Sequence, residues 1–286
     1  AGAYAAYGTT SVVVLDGVGL PRSAMGYADL ASFDLASVEI FRGPQSTSQG
    51  RNAMAGAVVI NTVEPALDNH SPQLFGRASA GNQGRRQWSL GTELPLLAET
   101  LSLRIVHDQR DSDGDIVNPT RREDDWAGSD SKTTRLRLKW QPGGVDGRYT
   151  ALLGATQLDK YQGSRYVPRS EKNSRHALAD VPVDYRSESQ LFSLDQRLWL
   201  GERWQLQAIT AYVESDTFSR FDQDYGADAS GATEQWEEAR DVSQELRLSF
   251  SGERLQAILG AYYYEGHNGD RQRGYTSING ALAMAG

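Results

Sequence analysis

Hydrophobic and polar residues alternate one for one along much of this chain. Leu136, Leu138 and Trp140 are interleaved with Arg135, Arg137 and Lys139. Val242, Gln244, Leu246, Leu248 and Phe250 alternate with Ser243, Glu245, Arg247 and Ser249. Leu101, Leu103 and Ile105 flank Ser102 and Arg104, and Leu255, Ala257, Leu259, Ala261 and Tyr263 share one face of a further segment. A period of two is that of a strand with two different faces. Noisier versions of the pattern run through 73–81, 85–94, 148–159, 189–200 and 204–215. Together they predict about nine strands of ~9–12 residues, near the length that crosses a bilayer at a tilt. Ordinary globular strands have a mode of ~5–6 residues.

The connections predict how these strands pair. Short ones fall at 95–100, 142–147, 201–203 and 251–254, and long polar ones at 111–131, 160–188 and 216–239. The link at Gly81–Gly84 is also short. In an up-and-down sheet every second connection lies at the same rim, so this asymmetry is that of an outer-membrane barrel. Trp88, Trp140, Trp199, Trp204, Tyr212 and Tyr262 to Tyr264 stand near segment ends, where interfacial girdles form. A charge on the lipid face costs ~2–4 kcal/mol at mid-bilayer. Arg135, Arg137, Lys139, Glu245 and Arg247 must therefore face the lumen, and within each strand they share parity. A soluble sandwich or barrel would alternate too.

The first ~65 residues read differently. Short apolar runs at Ser11–Leu15, Val38–Arg42 and Ala57–Thr62 are bounded by Asp16-Gly17, Gly43-Pro44, Gly56 and Pro65. Leu30, Phe33 and Leu35 give 27–37 a partial helical spacing, so a small α+β unit is expected, followed by a linker over 65–72.

Composition removes several classes. The longest apolar run, Ala53–Ile60, is far short of the ~18 residues of a membrane helix. Mean hydropathy is −0.54, a quantity nearly blind to membrane strands. The chain has 286 residues, no cysteine and a formal charge of −8. That excludes disulfide scaffolds and thiolate metal sites and argues against nucleic acid as a partner. The N-terminus has neither Met nor an apolar signal region, which suits a mature chain or a piece of a longer one.

The sharpest signal is Val38-Glu39-Ile40-Phe41-Arg42-Gly43-Pro44-Gln45-Ser46-Thr47 followed by Gly50-Arg51-Asn52-Ala53-Met54-Ala55-Gly56-Ala57-Val58-Val59-Ile60. With Val13-Val14-Leu15-Asp16-Gly17-Val18 upstream, it closely resembles the late plug domain of TonB-dependent outer-membrane receptors. Ser243-Gln244-Glu245-Leu246-Arg247-Leu248 resembles a barrel strand of the same family. Ser48-Gln49 and Ala55 depart from its pattern.

The resemblance implies an all-β fold: a transmembrane antiparallel barrel of 22 strands whose lumen a plug fills. Residues 1–68 would be the C-terminal part of the plug and 69–286 the first strands of the wall. An open wall leaves two unpaired edges that lipid cannot satisfy. The implied activity is energised uptake of a scarce, bulky solute, most often a ferric siderophore. The implied partners are the TonB–ExbB–ExbD complex, reached through an N-terminal box absent here, and outer-membrane lipid. Family plug arginines lock plug to wall, a role that passes to Arg42 and Arg51, with Glu245 a candidate partner by parity. The bland alternative for Arg42 is a solvated plug residue. Asp16, Gly17, Glu39, Gly43, Pro44, Gly50, Asn52 and Gly56 complete the motif positions.

No other chemistry emerges. Asp111-Ser112-Asp113-Gly114-Asp115 has Gly fourth and Arg122 twelfth, so it fails the EF-hand pattern and reads as an exposed acidic loop. His70, His107, His176 and His267 are scattered, and no cofactor, catalytic or metal motif is present. A passive porin or adhesin barrel and a secreted soluble β protein are the alternatives.

Overall fold

The computed structural model describes residues 11–21, 24, 33–43, 54–229, 231–278 and 281–285, with Val145 and residues from 275 onward described by their backbone alone. Among these described residues fourteen strands form two sheets: four strands in the order β2-β1-β4-β3, and ten in the order β14 to β5, each paired with its sequence neighbour.

The small sheet contains β1 (Ser11–Leu15), β2 (Val18–Gly19), β3 (Leu35–Arg42) and β4 (Gly56–Thr62). β1 and β2 close on the two-residue turn Asp16-Gly17, with φ of 48° and 83°. Asp-Gly suits two positive φ values in a tight hairpin. β4 lies parallel to β1 and antiparallel to β3. Gly56 is required there: an added Cβ would stand 2.4 Å from the Phe41 carbonyl oxygen. The helix expected over 27–37 is overturned at 35–37, where Leu35 opens β3 and pairs with Thr62; residues 27–32 lie outside the described residues.

The large sheet is an antiparallel meander: β5 (Gln73–Ala80), β6 (Arg86–Leu97), β7 (Leu101–Ser112), β8 (Ser129–Trp140), β9 (Tyr149–Gly163), β10 (Asp184–Leu200), β11 (Trp204–Asp222), β12 (Gly231–Ser251), β13 (Gln256–Ile278) and β14 (Ala281–Ala285). The turns at 98–100, 201–203 and 252–255 are short, as the sequence pattern predicts. The strands are longer than that pattern indicates, reaching 23 residues in β13; they take most of the expected loop at 216–239 and the two ends of the one at 160–188.

Register sorts the outer face into rows. Leu94, Leu103, Leu138, Leu153 and Leu194 are partners in turn across five strands. The next row up runs Thr92, Ile105, Leu136, Ala155, Phe192, Tyr212 and Val242. Toward the short turns Trp140 packs edge-on to Tyr149 at 5.8 Å, and Trp204 lies 4.7 Å from Phe250. Such rows suit lipid, with aromatic rings at its edge. Further toward the long loops the same face turns polar, with Lys132, Asp159, Glu188, Asp216 and Glu238 in one row. Tyr161, Arg186, Phe218, Trp236 and Arg271 form the row beyond. Alternation corrects part of the expected girdle. Tyr263 shares the outer parity, whereas Tyr262, Tyr264 and Trp199 fall on the opposite face. Tyr264 donates to Asp241 there at 2.6 Å.

At the long-loop rim, Ile116, Trp126, Ala127, Ala177, Ala179 and Val183 form a small apolar cluster joined by Val167 and Tyr225. Fully buried Asn118 donates to the Ala179 carbonyl at 2.8 Å. The long connections thus pack on one another.

The rows yield a test. Leu138→Arg is expected to destabilise the full-length protein in lipid vesicles by ~2–4 kcal/mol in a urea titration. Gln205→Arg, on the inner parity, should stay within ~0.5 kcal/mol of the parent.

Candidate functional site

The inner face of β7–β11 carries the small sheet. Strand β8 shows how its sequence arranges this. Residues 133, 135 and 137 are buried on the inner side, while Leu136, Leu138 and Trp140 take the outer parity. Three cations spaced two apart then meet three successive points of the first 64 residues. Arg135 donates to the Phe33 carbonyl. Arg137 Nη1 reaches Asp16 Oδ1 at 3.1 Å, the Thr62 carbonyl at 2.8 Å and Thr62 Oγ1 at 2.9 Å. Lys139 Nζ donates to Glu64 Oε2 at 3.0 Å.

Neighbouring strands extend the contact. Arg104 on β7 grips both oxygens of Asp34, at 2.5 and 3.0 Å, and also reaches Glu93 of β6 at 2.5 Å. A guanidinium matches a carboxylate in this two-point geometry, which a lysine lacks. Arg197 on β10 bridges Glu64, at 3.4 Å, and Asp195, at 2.6 Å. Most of these groups are shielded from water; the Arg104 and Asp34 side chains are 12% and 5% exposed.

Between the polar contacts lies a dry patch. Leu15, Val18, Leu20, Ala24 and Ile60 of the small-sheet region pack with Leu191, Ala211 and Val213 of β10 and β11, supported by Leu158. The Asp16-Gly17 turn brings the chain against β11, where the Gly17 Cβ position lies 3.2 Å from Ile209.

Asp16 organises the seam locally. Its carboxylate accepts from Thr62 N and from Thr62 Oγ1, each at 2.8 Å, and fixes the end of β4 where Arg137 arrives. Glu64 has a lowered pKa. Burial alone would raise it, but Lys139 with Arg197 and Arg137 outweighs that effect and holds the carboxylate charged. The expected linker is itself pinned: Pro65 is fully buried and Asn69 donates to Glu93.

The motif residues occupy other places. Glu39 is exposed on β3 and accepts from Ser37 at 3.4 Å. Arg42 ends β3 exposed, and among the described residues no ion pair joins it to a carboxylate. Gly43 donates to the Ala55 carbonyl at 3.1 Å. Glu245 has the inner parity and pairs with Arg247 on its own strand. Pro44, Gly50, Arg51 and Asn52 lie outside the described residues. Among the described residues the ion pairs of this seam join cations of the wall, Arg104, Arg137, Lys139 and Arg197, to carboxylates of the first region, Asp34, Asp16 and Glu64. Asp34, Glu64, Thr62 and Arg104 were not singled out by sequence; their one signal is that Arg104, Arg135, Arg137 and Lys139 share an inner parity needing anionic partners.

The remaining candidates stay apart. Asp115 of the acidic loop pairs with Arg175 at 2.5 Å, and no metal-binding group of carboxylates or histidines occurs among the described residues. His107 stacks on Trp88 at 4.8 Å on the outer face, and Val117 and His176 bridge two loops.

No family model matches the chain. Over 114 residues, 38% of its length, it is 30% identical to the pesticin receptors of Yersinia pestis and Yersinia enterocolitica, and it spans 16% of their length. In fold it is similar to the ferric yersiniabactin uptake receptor of Yersinia pestis, with a TM-score of 0.80 and 18% identity over 96% of this chain and 42% of that one. A copper transporter gives a TM-score of 0.73 at 13% identity, covering 97% of this chain and 42% of that one. An unliganded ferric citrate transporter gives 0.72 at 12%, with the same coverage.

Two measurements probe the seam. Arg137→Ala leaves Asp16 buried without its cation and is expected to cost ~3–5 kcal/mol, read as faster proteolysis of the first 64 residues in the folded protein. Glu64 contributes through a lowered pKa, so its stabilisation is complete above the ordinary value of 4.5 and fades as pH falls below it. Glu64→Gln should flatten the acid limb of a proteolysis-versus-pH profile and leave the neutral limb displaced toward lower stability.

Proposed function

We propose, from the premise that this chain has the plug-and-barrel fold of the TonB-dependent outer-membrane receptors, that it forms part of a receptor that captures and actively imports a bulky ferric chelate of the siderophore class. In this reading residues 1–68 belong to the plug and 69–286 to the wall, which lies in the outer membrane. Energy comes from the inner-membrane TonB–ExbB–ExbD complex, acting through a segment of the receptor beyond this chain. Arg42 and Arg51 serve to lock the plug to carboxylates on wall strands that also lie beyond it. The protein acts as a transporter and carries out no chemistry on its solute.

The observation that carries the proposal is the seam itself. A sheet with lipid-suited rows on one face holds, on the other, a folded insert fixed by two shielded ion pairs, a half-buried one and a dry apolar patch. A passive pore has no use for an obstruction so firmly held, whereas an energised one needs its channel closed between cycles. A soluble secreted protein would not expose Leu153, Phe192, Leu200 and Leu246, each at least 42% accessible, on its outer parity. The name of one similar structure, ferric yersiniabactin uptake receptor, agrees with the solute class.

Uptake of radioiron-labelled ferric yersiniabactin, ferric citrate and a ferric catecholate should be measured in cells carrying the full-length receptor. At least one chelate is expected to enter at a rate that falls at least tenfold when the proton gradient is collapsed or TonB is deleted. Entry insensitive to both would identify a passive pore instead.

A further inference from the structure

We propose that the outer side of the wall, beyond its lipid rows, docks the acidic sugar head groups of the glycolipid that coats the outer leaflet, through a band of arginines and aromatic rings on β9–β13. The inference needs only the wall's place in the outer membrane and does not depend on the imported solute.

This face is complete in the chain itself. Each of β9, β10, β11 and β12 is paired on both sides, and the small sheet lies on the inner face. Further wall strands would add at the sheet edges, β5 and β14, and leave the outer side of these four strands uncovered.

The rows along it change character in steps. The apolar rows end at Ala155, Phe192, Tyr212 and Val242. Four residues farther along stand Asp159, Glu188, Asp216 and Glu238, carboxylates with no cation among them. Two residues on again stand Tyr161, Arg186, Phe218, Trp236 and Arg271, guanidinium groups and rings with no carboxylate among them. Arg186 lies 5.8 Å from the Tyr161 ring centroid, and Arg271 lies 5.2 Å from that of Trp236. Phe218 and Trp236 are 5.3 Å apart, and Arg220 extends the group at 5.5 Å from Phe218. Arg186 donates to Asp184 at 3.0 Å, yet its side chain remains 63% exposed. A guanidinium laid on a ring keeps its edge N–H groups for an anion. The ring beside it offers an apolar face to the C–H side of a sugar.

Spacing selects the occupant. The six residues from Phe192 to Arg186 cover ~20 Å along a strand, which is ~14 Å of height at a 45° tilt. Phospholipid head groups add only ~5–7 Å on each side of the hydrocarbon layer. Their phosphates therefore stop below the arginine row, and the acidic row lying between repels them. A head group that carries its phosphates and carboxylates outward on sugars reaches the arginines instead. Charge complementarity and continuity with the lipid rows thus both favour the long acidic saccharide of a glycolipid.

The test titrates the detergent-solubilised full-length receptor with lipopolysaccharide or with phosphatidylglycerol and counts bound lipid by native mass spectrometry. The parent is expected to bind lipopolysaccharide at least tenfold more tightly than phosphatidylglycerol. Arg186→Glu with Arg271→Glu should remove that preference, and Trp236→Ala should weaken lipopolysaccharide binding at least threefold. Arg186→Gln with Arg271→Gln, expected to lose at least threefold, serves if the charge reversal does not fold. Arg203→Glu with Arg254→Glu makes the same change of charge on exposed positions at the short-turn rim and should stay within twofold of the parent. Equal losses at the two rims, or equal binding of the two lipids by the parent, overturn the proposal. So does a receptor dimer that the Arg186 and Arg271 changes dissolve, which would give the band to a second copy.

Discussion

Burying guanidinium groups against a sheet that faces lipid on its other side is the constraint on which this structure depends. Arg135, Arg137 and Lys139 lie on the same strand as Leu136, Leu138 and Trp140, and the pleat allows no mixing of the two sets. A slip of one residue in β8 would turn three cations toward lipid and three apolar side chains toward Asp16, Thr62 and Glu64. The register of β7, β8 and β9 is therefore fixed from both faces at once. The buried ion pairs matter here less for net stability, since desolvation cancels much of their attraction, than for singling out one alignment. The Nε atoms of Arg135 and Arg137 find no partner among the described residues, which fits side chains committed at their tips alone.

The seam also explains the unusual character of the first region. Its small sheet has four short strands, one of them only two residues long, and its own apolar set of Val12, Val14 and Ala57 is slight. Units of this size rarely stand alone. The cluster built from Leu15, Val18 and Ile60 is completed by residues from β10 and β11, more than a hundred positions away. The wall supplies part of the core that the small sheet lacks.

Much of this was legible in the sequence. The alternation in Arg135–Trp140 and in Val242–Phe250 marked strands and faces correctly, because lipid on one side and a packed insert on the other keep the two sets of residues chemically distinct. Asp16-Gly17 marked its hairpin through turn chemistry alone. Legibility ended where the two faces became alike. In the outer parts of β10, β11 and β12 the outward side is Glu188, Asp216 and Glu238 while the inward side is Ser187, Thr217 and Glu237, so strand read as loop. Leu35 was drawn into a helix by spacing that its pairing with Thr62 overrides. The direction of the ion pairs could not be read at all, because Asp34 and Glu64 flank their strands as single carboxylates and gain meaning from residues 70 and 75 positions distant.

The length of the outer strands has one more consequence. A strand of 23 residues such as β13 extends ~75 Å at ~3.3 Å per residue. At a 45° tilt it rises ~50 Å, against a hydrocarbon layer of ~30 Å. The wall thus continues as a collar well clear of the lipid, carrying the acidic row and the arginine–aromatic row on its outside. At physiological ionic strength the potential of a charged surface decays over ~8 Å. With the head groups included the bilayer is ~40–45 Å thick, so the rim of the collar stands about one such decay length beyond them. A charged group at the rim thus meets chiefly the field of the protein.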